Sequence, residues 1–471
     1  MKRTKIVATI GPETANVRLL KQMYKAGMSV ARLNGSHNTI DWHSKVIRLI
    51  KKVIPDCPIL LDIPGKKIRT AKLTNEPIFK RNEILILTTK KGYTGEKKIS
   101  ITNSQLHRFL SKGDIVFADD GTLKFKVLKV IKNDIYLKAE NSGQLKSSKG
   151  INIPYVNLSG KLITQRDKKI IAFAKSEEVD FIGISFVESA KHINLIRKLI
   201  NKETPKIIAK IENQKGIDNL KEIVKATDII MIDRGDLSTE TNIESLAINQ
   251  KNIIKLANEL SKPVIVATEM LDNMISSPNP TKAEVLDISN SIVDGATATM
   301  LSGETAIGKY PVESIKVMSK ISSVIINNED VNKKNIIKPA SETIGMANTI
   351  KYLSYSLPIT KIVAITISGY AARIVSSQML SQPIIAVSNK KNIARCFNIY
   401  SGTTGLFLNT KFYRDSLRHI PVCLKFLWKN KKITEKDMIL LIALGYPGSG
   451  RRMNTLQTHY VKDLIKNFSW K

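Results

Sequence analysis

From its first residues to about residue 300, the chain repeats one pattern: short, almost continuous apolar runs rich in Ile and Val. Runs of this kind are typical of parallel strands that are buried on both faces. Most are separated by amphipathic segments of helical length, for example Val17–Ala26, Glu244–Leu260 and Lys282–Asp294. This order predicts an α/β fold, a (β/α)8 TIM barrel. We predict the eight strands at Thr4–Ile10, Val30–Asn34, Ile59–Ile63, Phe181–Phe186, Lys206–Glu212, Ile229–Asp233, Pro263–Thr268 and Ala296–Leu301.

The connection between the third and fourth runs breaks the pattern. Residues 70–160 alternate apolar and polar side chains, as in Leu123–Val127, and are interrupted by turn signals such as Lys112-Gly113-Asp114. Alternation with frequent turns predicts a small all-β domain inserted into a βα loop. At this point of a barrel an insertion lies over the carboxyl ends of the strands, where it can serve as a lid.

After about residue 335 the pattern restarts as a separate α/β domain. A helix is predicted at Glu342–Leu357, and the polar stretch Asn327–Lys338 is the predicted boundary. We therefore expect a barrel at 1–69 and 161–335, an inserted β lid at 70–160 and a C-terminal α/β regulatory domain at 336–471. Strand-like runs in the last domain are Lys361–Ile367, Pro383–Val387, Gly405–Leu408 and Met438–Leu444.

The formal charge of the 471 residues is +33. A binding surface for nucleic acid or an anionic membrane would be one reason for such a charge. The lysines are dispersed, however, and runs such as Val331–Lys338 show a general enrichment in Lys, Asn and Ile. We attribute the charge to compositional drift, and expect neither a nucleic-acid partner nor a membrane.

The three cysteines, Cys57, Cys396 and Cys423, are far apart and form no Cys-x-x-Cys pair. A disulfide framework and a thiolate zinc site are therefore disfavoured, and a reducing, cytoplasmic location is expected.

Charged and polar side chains recur where the predicted barrel strands end, which is where barrel enzymes carry their catalytic groups. A structural ring of salt bridges is the alternative explanation, but six of eight ends on one rim favour a functional site. These ends are Arg32–His37, Asp62 with Arg69 after it, Lys210–Glu212, Arg234–Asp236, Thr268–Glu269 and Ser302–Thr305.

The strand ends combine carboxylates with cationic groups. Glu212 and Asp236 come from adjacent strands and offer the hard oxygen ligands that Mg2+ prefers. Neither a His pair nor a Cys accompanies them, so zinc is disfavoured. Gly235 would let backbone N–H groups approach an anion. The groups that would supply positive charge to phosphate oxygens are Arg32, Arg69, Lys149 and Lys210.

This combination suits phosphoryl transfer, which depends on cations that bear the charge of the moving group rather than on covalent help. The sequence has no G-x-x-x-x-G-K-[ST] loop and no kinase Gly-rich loop, so it does not predict a P-loop enzyme.

At these residues, and in order from Thr4 to Thr455, the sequence resembles pyruvate kinases of the bacterial type. The resemblance implies transfer of the phosphoryl group of phosphoenolpyruvate to ADP, giving pyruvate and ATP in glycolysis. It also implies Mg2+, a homotetramer and an allosteric C-terminal domain. The most specific stretches are Thr4–Pro12, Lys210–Asn213, Arg234–Leu237, Ala267–Asp272, Pro280–Glu284 and Met300–Ala306.

The resemblance also implies roles at individual positions. Lys210 matches the lysine that stabilises the transferring phosphoryl group, and Glu212 and Asp236 match the Mg2+ ligands. Contacts to phosphoenolpyruvate are implied for Arg32, Gly235, Asp236 and Thr268. The nucleotide side is implied for Asn34, Ser36, His37, Arg69 and Lys149, under an acidic turn of the lid at Asp119-Asp120-Gly121. Proton delivery to the enolate is implied for the region of Thr268, Ser302 and Glu304.

One departure concerns potassium. The family's usual K+ site corresponds to Asn34, Ser36, Asp62 and the carbonyl of Ile63. Members with Glu at the position of Lys67 generally need K+, whereas those with Lys tend not to. We therefore predict that the Lys67 ammonium replaces the charge of the ion and that activity does not require K+.

Other departures bear on efficiency. Asp233 stands where the family usually has Ala, Ser238 where it has Gly, and Glu269 where it has Gln, while Gly35 replaces a Phe and removes packing only. A carboxylate at Asp233 would weaken phosphoenolpyruvate binding unless it points away or pairs with Arg234.

The predicted effector loops of the C-terminal domain also depart from the family's pattern. Thr366–Arg373 matches a family loop that often holds an effector's phosphate, but Tyr370-Ala371-Ala372 replaces its usual hydroxyl groups. Ser449–Thr455 retains two arginines that suit an anion. We expect reduced or altered allosteric control.

Two other functions fit parts of the sequence. A Mg2+-dependent carbon–carbon lyase acting on pyruvate-like enolates uses a similar barrel, but needs neither a nucleotide lid nor Lys210. A repurposed RNA-binding protein is suggested only by the charge, and would bind RNA without activity.

Overall fold

The computed structural model describes residues 3–119, 121–154, 162–326, 342–413, 416–443 and 453–470. The predicted boundary Asn327–Lys338, the lid residue Asp120 and the effector residues Ser449–Arg452 lie outside these ranges. The strands, in chain order, are β1 Lys5–Thr9, β2 Val30–Asn34, β3 Ile59–Ile63, β4 Ile68–Arg69, β5 Ile78–Phe79, β6 Ile84–Thr88, β7 Ile99–Ser100, β8 Ile115–Ala118, β9 Leu123–Ile131, β10 Asp134–Ala139, β11 Gly143–Gln144, β12 Gly150–Asn152, β13 Phe181–Ile184, β14 Lys206–Ile211, β15 Ile229–Asp233, β16 Val264–Ala267, β17 Ala298–Leu301, β18 Lys361–Ile365, β19 Ile384–Ser388, β20 Thr403–Phe407, β21 Met438–Ala443 and β22 Thr455–Tyr460.

Helices follow most barrel strands, and several begin at capping residues. The Thr281 side chain accepts a hydrogen bond from the Glu284 amide, and the Glu284 side chain accepts one from the Thr281 amide. These two reciprocal hydrogen bonds form a capping box. The helices are α1 Val17–Ala26, α2 Ile40–Val53, α3 Gln165–Ser176, α4 Ala190–Ile200, α5 Gln214–Asp218, α6 Leu220–Ala226, α7 Arg234–Glu240, α8 Leu246–Glu259, α9 Lys282–Asp294, α10 Gly303–Ala306, α11 Pro311–Ile326, α12 Glu342–Ser356, α13 Tyr370–Ser376, α14 Lys391–Cys396, α15 His419–Lys429 and α16 Val461–Asn467.

Eight parallel strands close into a barrel in the order β1-β2-β3-β13-β14-β15-β16-β17, and β17 pairs with β1. The predicted (β/α)8 barrel is therefore confirmed, with each predicted run containing one strand. The barrel interior is filled by alternate residues of the strands, such as Val7, Val30, Leu60 and Phe181. The intervening residues face the surrounding helices, as expected from the two-residue period of a strand.

The chain between β3 and β13 forms a separate sheet of short strands, in the order β4-β12-β8-β9-β10-β6-β7, with a second small sheet of β5 and β11. Most of its pairings are antiparallel, but β6 and β7 are parallel. The sheet has its own apolar core around Phe125. We call it the lid sheet.

The C-terminal sheet has the order β20-β19-β18-β21-β22, in which only β22 is antiparallel. The edge strand β22 was not predicted, because its sequence Thr455–Tyr460 contains a single aliphatic residue. This sheet packs below the barrel, and the core inside the barrel continues into Phe397 and Ile399. None of the helices in the described ranges has the length and apolar character needed to span a lipid bilayer.

Candidate active site

The charged ends of the barrel strands belong to the columns of side chains that fill the barrel interior. Residues two apart in a strand share a face. In β14, Ile208 lies in the interior core, and Lys210 and Glu212 follow it at two-residue spacing. In β15, Met231 lies in the same core and Asp233 follows it. The inward-facing positions that hold apolar side chains within each strand therefore hold charged side chains at its carboxyl end.

Lys210 is held in a cluster of carboxylates. Its Nζ lies 2.6 Å from Glu212 Oε1, 2.8 Å from Asp233 Oδ2 and 4.0 Å from Asp62 Oδ2. Burial alone would lower the pKa of Lys210, but the carboxylates of Asp233, Glu212 and Asp62 raise it well above its usual value. Burial would likewise raise the pKa of Asp233, but Lys210 and Lys67 hold it below its usual value. Lys210 and Asp233 therefore stabilise each other's charged forms.

Asp233 therefore points into the site, and it does not pair with Arg234. The Arg234 guanidinium instead lies 2.6 Å from Asp287 Oδ2 and donates to the carbonyl oxygens of Thr268 and Glu269 at 2.7 and 2.8 Å. Asp233 lies two residues after the buried Met231, so the two side chains share one face of the strand. This spacing is the sequence signal from which the orientation of Asp233 could have been predicted.

Three carboxylates form a candidate metal centre. Glu212, Asp233 and Asp236 are buried, and each offers an oxygen within 4.8 Å of the oxygens of the other two. Burial raises the pKa of Glu212, although the Lys210 ammonium opposes the shift. Gathering three buried carboxylates is unfavourable unless cations compensate them. This donor set consists of hard oxygens and fits a divalent cation such as Mg2+.

Asp236 has partners from outside the barrel strands. Lys67 Nζ lies 2.6 Å from Asp236 Oδ1 and 2.7 Å from Oδ2. Asn152 donates through Nδ2 to Asp236 Oδ1 at 3.1 Å and to Glu240 Oε1 at 2.9 Å. Our prediction placed the Lys67 ammonium at the potassium site, whereas these contacts place it on the predicted magnesium ligand. Burial raises the pKa of Glu240 to about 7, and sequence reasoning missed both Glu240 and Asn152.

The predicted potassium residues lie beside this cluster. Arg32 donates through Nε and Nη2 to Asp62 Oδ2, at 2.9 and 2.7 Å. The other oxygen, Asp62 Oδ1, is buried and has no hydrogen-bond partner within the described ranges. Asn34 Oδ1 accepts a hydrogen bond from the Ser36 amide at 3.1 Å. A buried carboxylate oxygen without a donor is an observation that suits a bound cation.

Thr268 connects two strand ends. Its Oγ1 accepts a hydrogen bond from the Gly235 amide at 2.9 Å and donates to the Ala267 carbonyl at 2.6 Å. Thr268 has φ 68° and Glu269 has φ 52°. Left-handed backbone is costly for a β-branched residue, and is typically found where a functional site requires it. Arg234 holds both carbonyl groups in this conformation.

Ser302 and Glu304 lie at the end of β17, and Glu304 has a bracing role. Its carboxylate accepts hydrogen bonds from the amides of Ser302 and Leu271, at 2.7 and 3.0 Å. Burial raises the pKa of Glu304. The Ser302 hydroxyl has no hydrogen-bond partner within the described ranges. The structure thus places Glu304 as a support for two loops, and leaves Ser302 with an uncommitted hydroxyl.

The predicted nucleotide residues gather around His37. Burial lowers the pKa of His37, and the cations Arg69, Arg32, Arg166 and Lys149 lower it further. So many cations around one imidazole make this side of the site suited to an anion.

The lid supplies two of these cations. Arg69 donates to the Ser148 carbonyl at 2.9 Å, and Lys149 lies 2.6 Å from Asp119. Arg166 was not predicted, because it lies at the start of α3 rather than at a strand end. It contacts the carbonyl oxygens of Gly35 and Ser36, at 3.2 and 3.4 Å.

Comparison with known proteins covers almost the whole chain. Residues 1–315 match the family described as "Pyruvate kinase, barrel domain", and residues 343–459 match "Pyruvate kinase, alpha/beta domain". The chain is 36% identical to a pyruvate kinase of Clostridium perfringens over 95% of its own length and 97% of that protein. It is 34% identical to a pyruvate kinase of Thermotoga maritima, over 97% and 99% of the two chains. A pyruvate kinase of Thermococcus litoralis is 36% identical, over 93% and 91%. The chain therefore belongs to the pyruvate kinase family of phosphotransferases, which transfer the phosphoryl group of phosphoenolpyruvate to ADP.

Proposed function

We propose that this chain carries out the family's reaction with Lys210 as the group that stabilises the transferring phosphoryl. The observation that carries the proposal is the buried Lys210 at the mouth of the barrel, with its charge fixed by Glu212 and Asp233. A fixed cation in a dry site stabilises developing negative charge at little reorganisation cost. Arg32, oriented by two hydrogen bonds to Asp62, is the second cation for the phosphate.

In this reaction the bond between phosphorus and the enol oxygen breaks, and a bond forms between phosphorus and a terminal oxygen of ADP. The electron pair stays on the enol oxygen, and the resulting enolate takes a proton at carbon. We assign Thr268 and Ser302 to the enolate side, with Glu304 bracing their loops through the Ser302 and Leu271 amides. The Gly235 amide and Thr268 hydroxyl are proposed contacts of phosphoenolpyruvate.

The metal centre is proposed at Glu212 and Asp236, with Asp233 next to both. A bound Mg2+ would supply a Lewis acid for the phosphoryl and enolate oxygens. K+ would belong to Asn34, Ser36, Asp62 and the Ile63 carbonyl. Independence from K+ remains our prediction and rests on the resemblance, because the Lys67 ammonium contacts Asp236 and not the residues of the proposed potassium site.

The nucleotide is proposed to lie between the barrel and the lid sheet, along Asn34, Ser36, His37, Arg69 and Lys149. The mutual proximity of these groups, and the added cation Arg166, support this assignment. We further propose a homotetramer in the cytoplasm, with the C-terminal domain as its regulatory part. These last assignments rest on the resemblance to the family, together with the three unpaired cysteines.

A coupled assay of pyruvate formation from phosphoenolpyruvate and ADP tests the proposal. We expect Lys210→Met to reduce kcat by about 10²- to 10³-fold, because one charge-stabilising group is lost. Lys206→Met is the matched control, since Lys206 starts the strand that ends in Lys210. Unchanged turnover in Lys210→Met, or an equal loss in both variants, would refute the assigned role.

A further inference from the structure

Both connections between the barrel and the lid sheet place a side chain on the same carboxylate. Lys67 immediately precedes β4, and Asn152 is the last residue of β12. These strands pair with each other, with Ile68 opposite Ile151. Lys67 and Asn152 nevertheless both contact Asp236, which is not part of the lid sheet. The lid is thus tied to the barrel at a residue of the proposed metal centre.

The Lys67 ammonium occupies the coordinating face of that carboxylate. Its Nζ is within 2.7 Å of both Asp236 oxygens. A magnesium ion bound to either oxygen would stand about 2.1 Å from it. Two cations cannot share so small a region without strong repulsion, particularly where little water screens them. Only 13% of the Lys67 side chain and 5% of the Asp236 side chain are exposed.

The surroundings offer Lys67 another position. It lines a cavity of about 250 Å³ between the lid and the barrel, which is also bordered by three carboxylates and two further lysines: Glu188, Asp218, Glu240, Lys66 and Lys215. The positive charge of Lys67 already acts on Glu240, where it opposes the rise in pKa that burial causes. At Gly150 an added Cβ would come within 2.8 Å of Lys67 Cε, so the glycine keeps a path open for this side chain.

We propose that Lys67 is an internal competitor of the divalent cation, and that binding of the cation moves Lys67 from Asp236 toward the cavity. The inference rests on the proposed metal centre at Glu212 and Asp236. Since Lys67 adjoins β4, its displacement also removes one of the contacts that join the lid to Asp236. By linkage, metal affinity and lid position then affect each other to the same extent.

The test measures Mn2+ binding to the full chain in the absence of substrates, by the electron paramagnetic resonance signal of free Mn2+. We expect Lys67→Met to bind Mn2+ about tenfold more tightly than the parent chain, which corresponds to about 1.4 kcal/mol. Lys66→Met removes the same charge from the neighbouring position, and should tighten binding much less. Equal affinities in the parent chain and Lys67→Met, or an equal gain in both variants, would overturn the proposal.

Asp236→Asn separates this inference from the assignment of the metal centre. If Mn2+ binding does not depend on Asp236, the metal centre itself is misplaced. If it depends on Asp236 but not on Lys67, only the competition is refuted.

Hydrogen exchange reports the lid directly. We expect Mn2+ to increase amide exchange in residues 66–70 and 148–153 of the parent chain. In Lys67→Met, exchange there should be high before Mn2+ is added and change little afterwards. A metal-induced increase of the same size in both proteins would refute the coupling to the lid.

Discussion

Asp233 shares the Lys210 ammonium with the proposed phosphate site, and its removal should improve substrate binding. Asp233 Oδ2 lies 2.8 Å from Lys210 Nζ, and its pKa is held low enough that it is ionised at neutral pH. In the proposed site, the phosphate of phosphoenolpyruvate would therefore compete with an internal carboxylate for the same ammonium group. Asp233→Ala would leave Lys210 paired with Glu212 at 2.6 Å, so no uncompensated charge is created.

The size of the effect follows from this contact. A hydrogen bond between charged groups contributes about 1.5–3 kcal/mol. Part of that contribution is retained, because Lys210 keeps Glu212 as a partner. We therefore expect the lower end, a decrease of about tenfold in the KM for phosphoenolpyruvate, since 1.4 kcal/mol corresponds to a factor of ten.

The assay is steady-state pyruvate formation at saturating ADP and Mg2+. Saturating Mg2+ is needed because Asp233 also borders the proposed metal centre, and its loss would weaken metal binding there. Asp233→Asn is the control that removes the charge but keeps the shape, and it should lower the KM in the same direction. A KM that is unchanged or higher in Asp233→Ala would refute the competition argument.

Three other predictions follow from separate parts of the molecule. Arg395 lies 3.0 Å from the buried Asp180, whose pKa burial raises to about 6, above its unfolded value of about 3.9. Protonated Asp180 therefore favours the folded state below pH 4, and this contribution is lost as the pH rises through 6. Arg395→Met should cost about 3 kcal/mol at pH 8 and clearly less at pH 5 in urea unfolding; equal losses at both pH values would contradict this. Turnover should persist in K+-free buffer, and a collapse that K+ reverses would exclude our prediction. Gly121→Ala should raise the KM for ADP, because φ is +87° and the new Cβ would lie 2.6 Å from Thr239 Cγ2 across the lid interface. Gly113→Ala has φ +103° and open space, so an equal effect there would show that backbone strain alone is responsible.

The barrel was predictable because its strands are buried on both faces. A strand such as Ile229–Asp233 is visible in the sequence as an apolar run. Burial of such runs on both faces leaves few alternatives to a parallel sheet with helices around it. The same regularity predicted the candidate functional groups of the barrel, since these lie where the runs end. The edge strand Thr455–Tyr460 escaped prediction for the opposite reason: an edge strand is only partly buried and needs few apolar residues.

Residue chemistry and spacing in the sequence determined the barrel, the inserted lid and the set of charged strand ends, because these depend on local periodicity. Which groups those charged side chains contact depends on where the side chains point. Only the closed barrel and the docked lid fix these directions. Lys67 was predicted from the resemblance to the family to replace the charge of a potassium ion, yet it contacts Asp236, 169 residues away. Asp233 could have faced Arg234 or solvent, and faces Lys210 because the strand's inward column continues to its end. Side-chain pairing between distant segments is decided by tertiary packing, which here turned a list of charged residues into a buried, mutually compensated cluster.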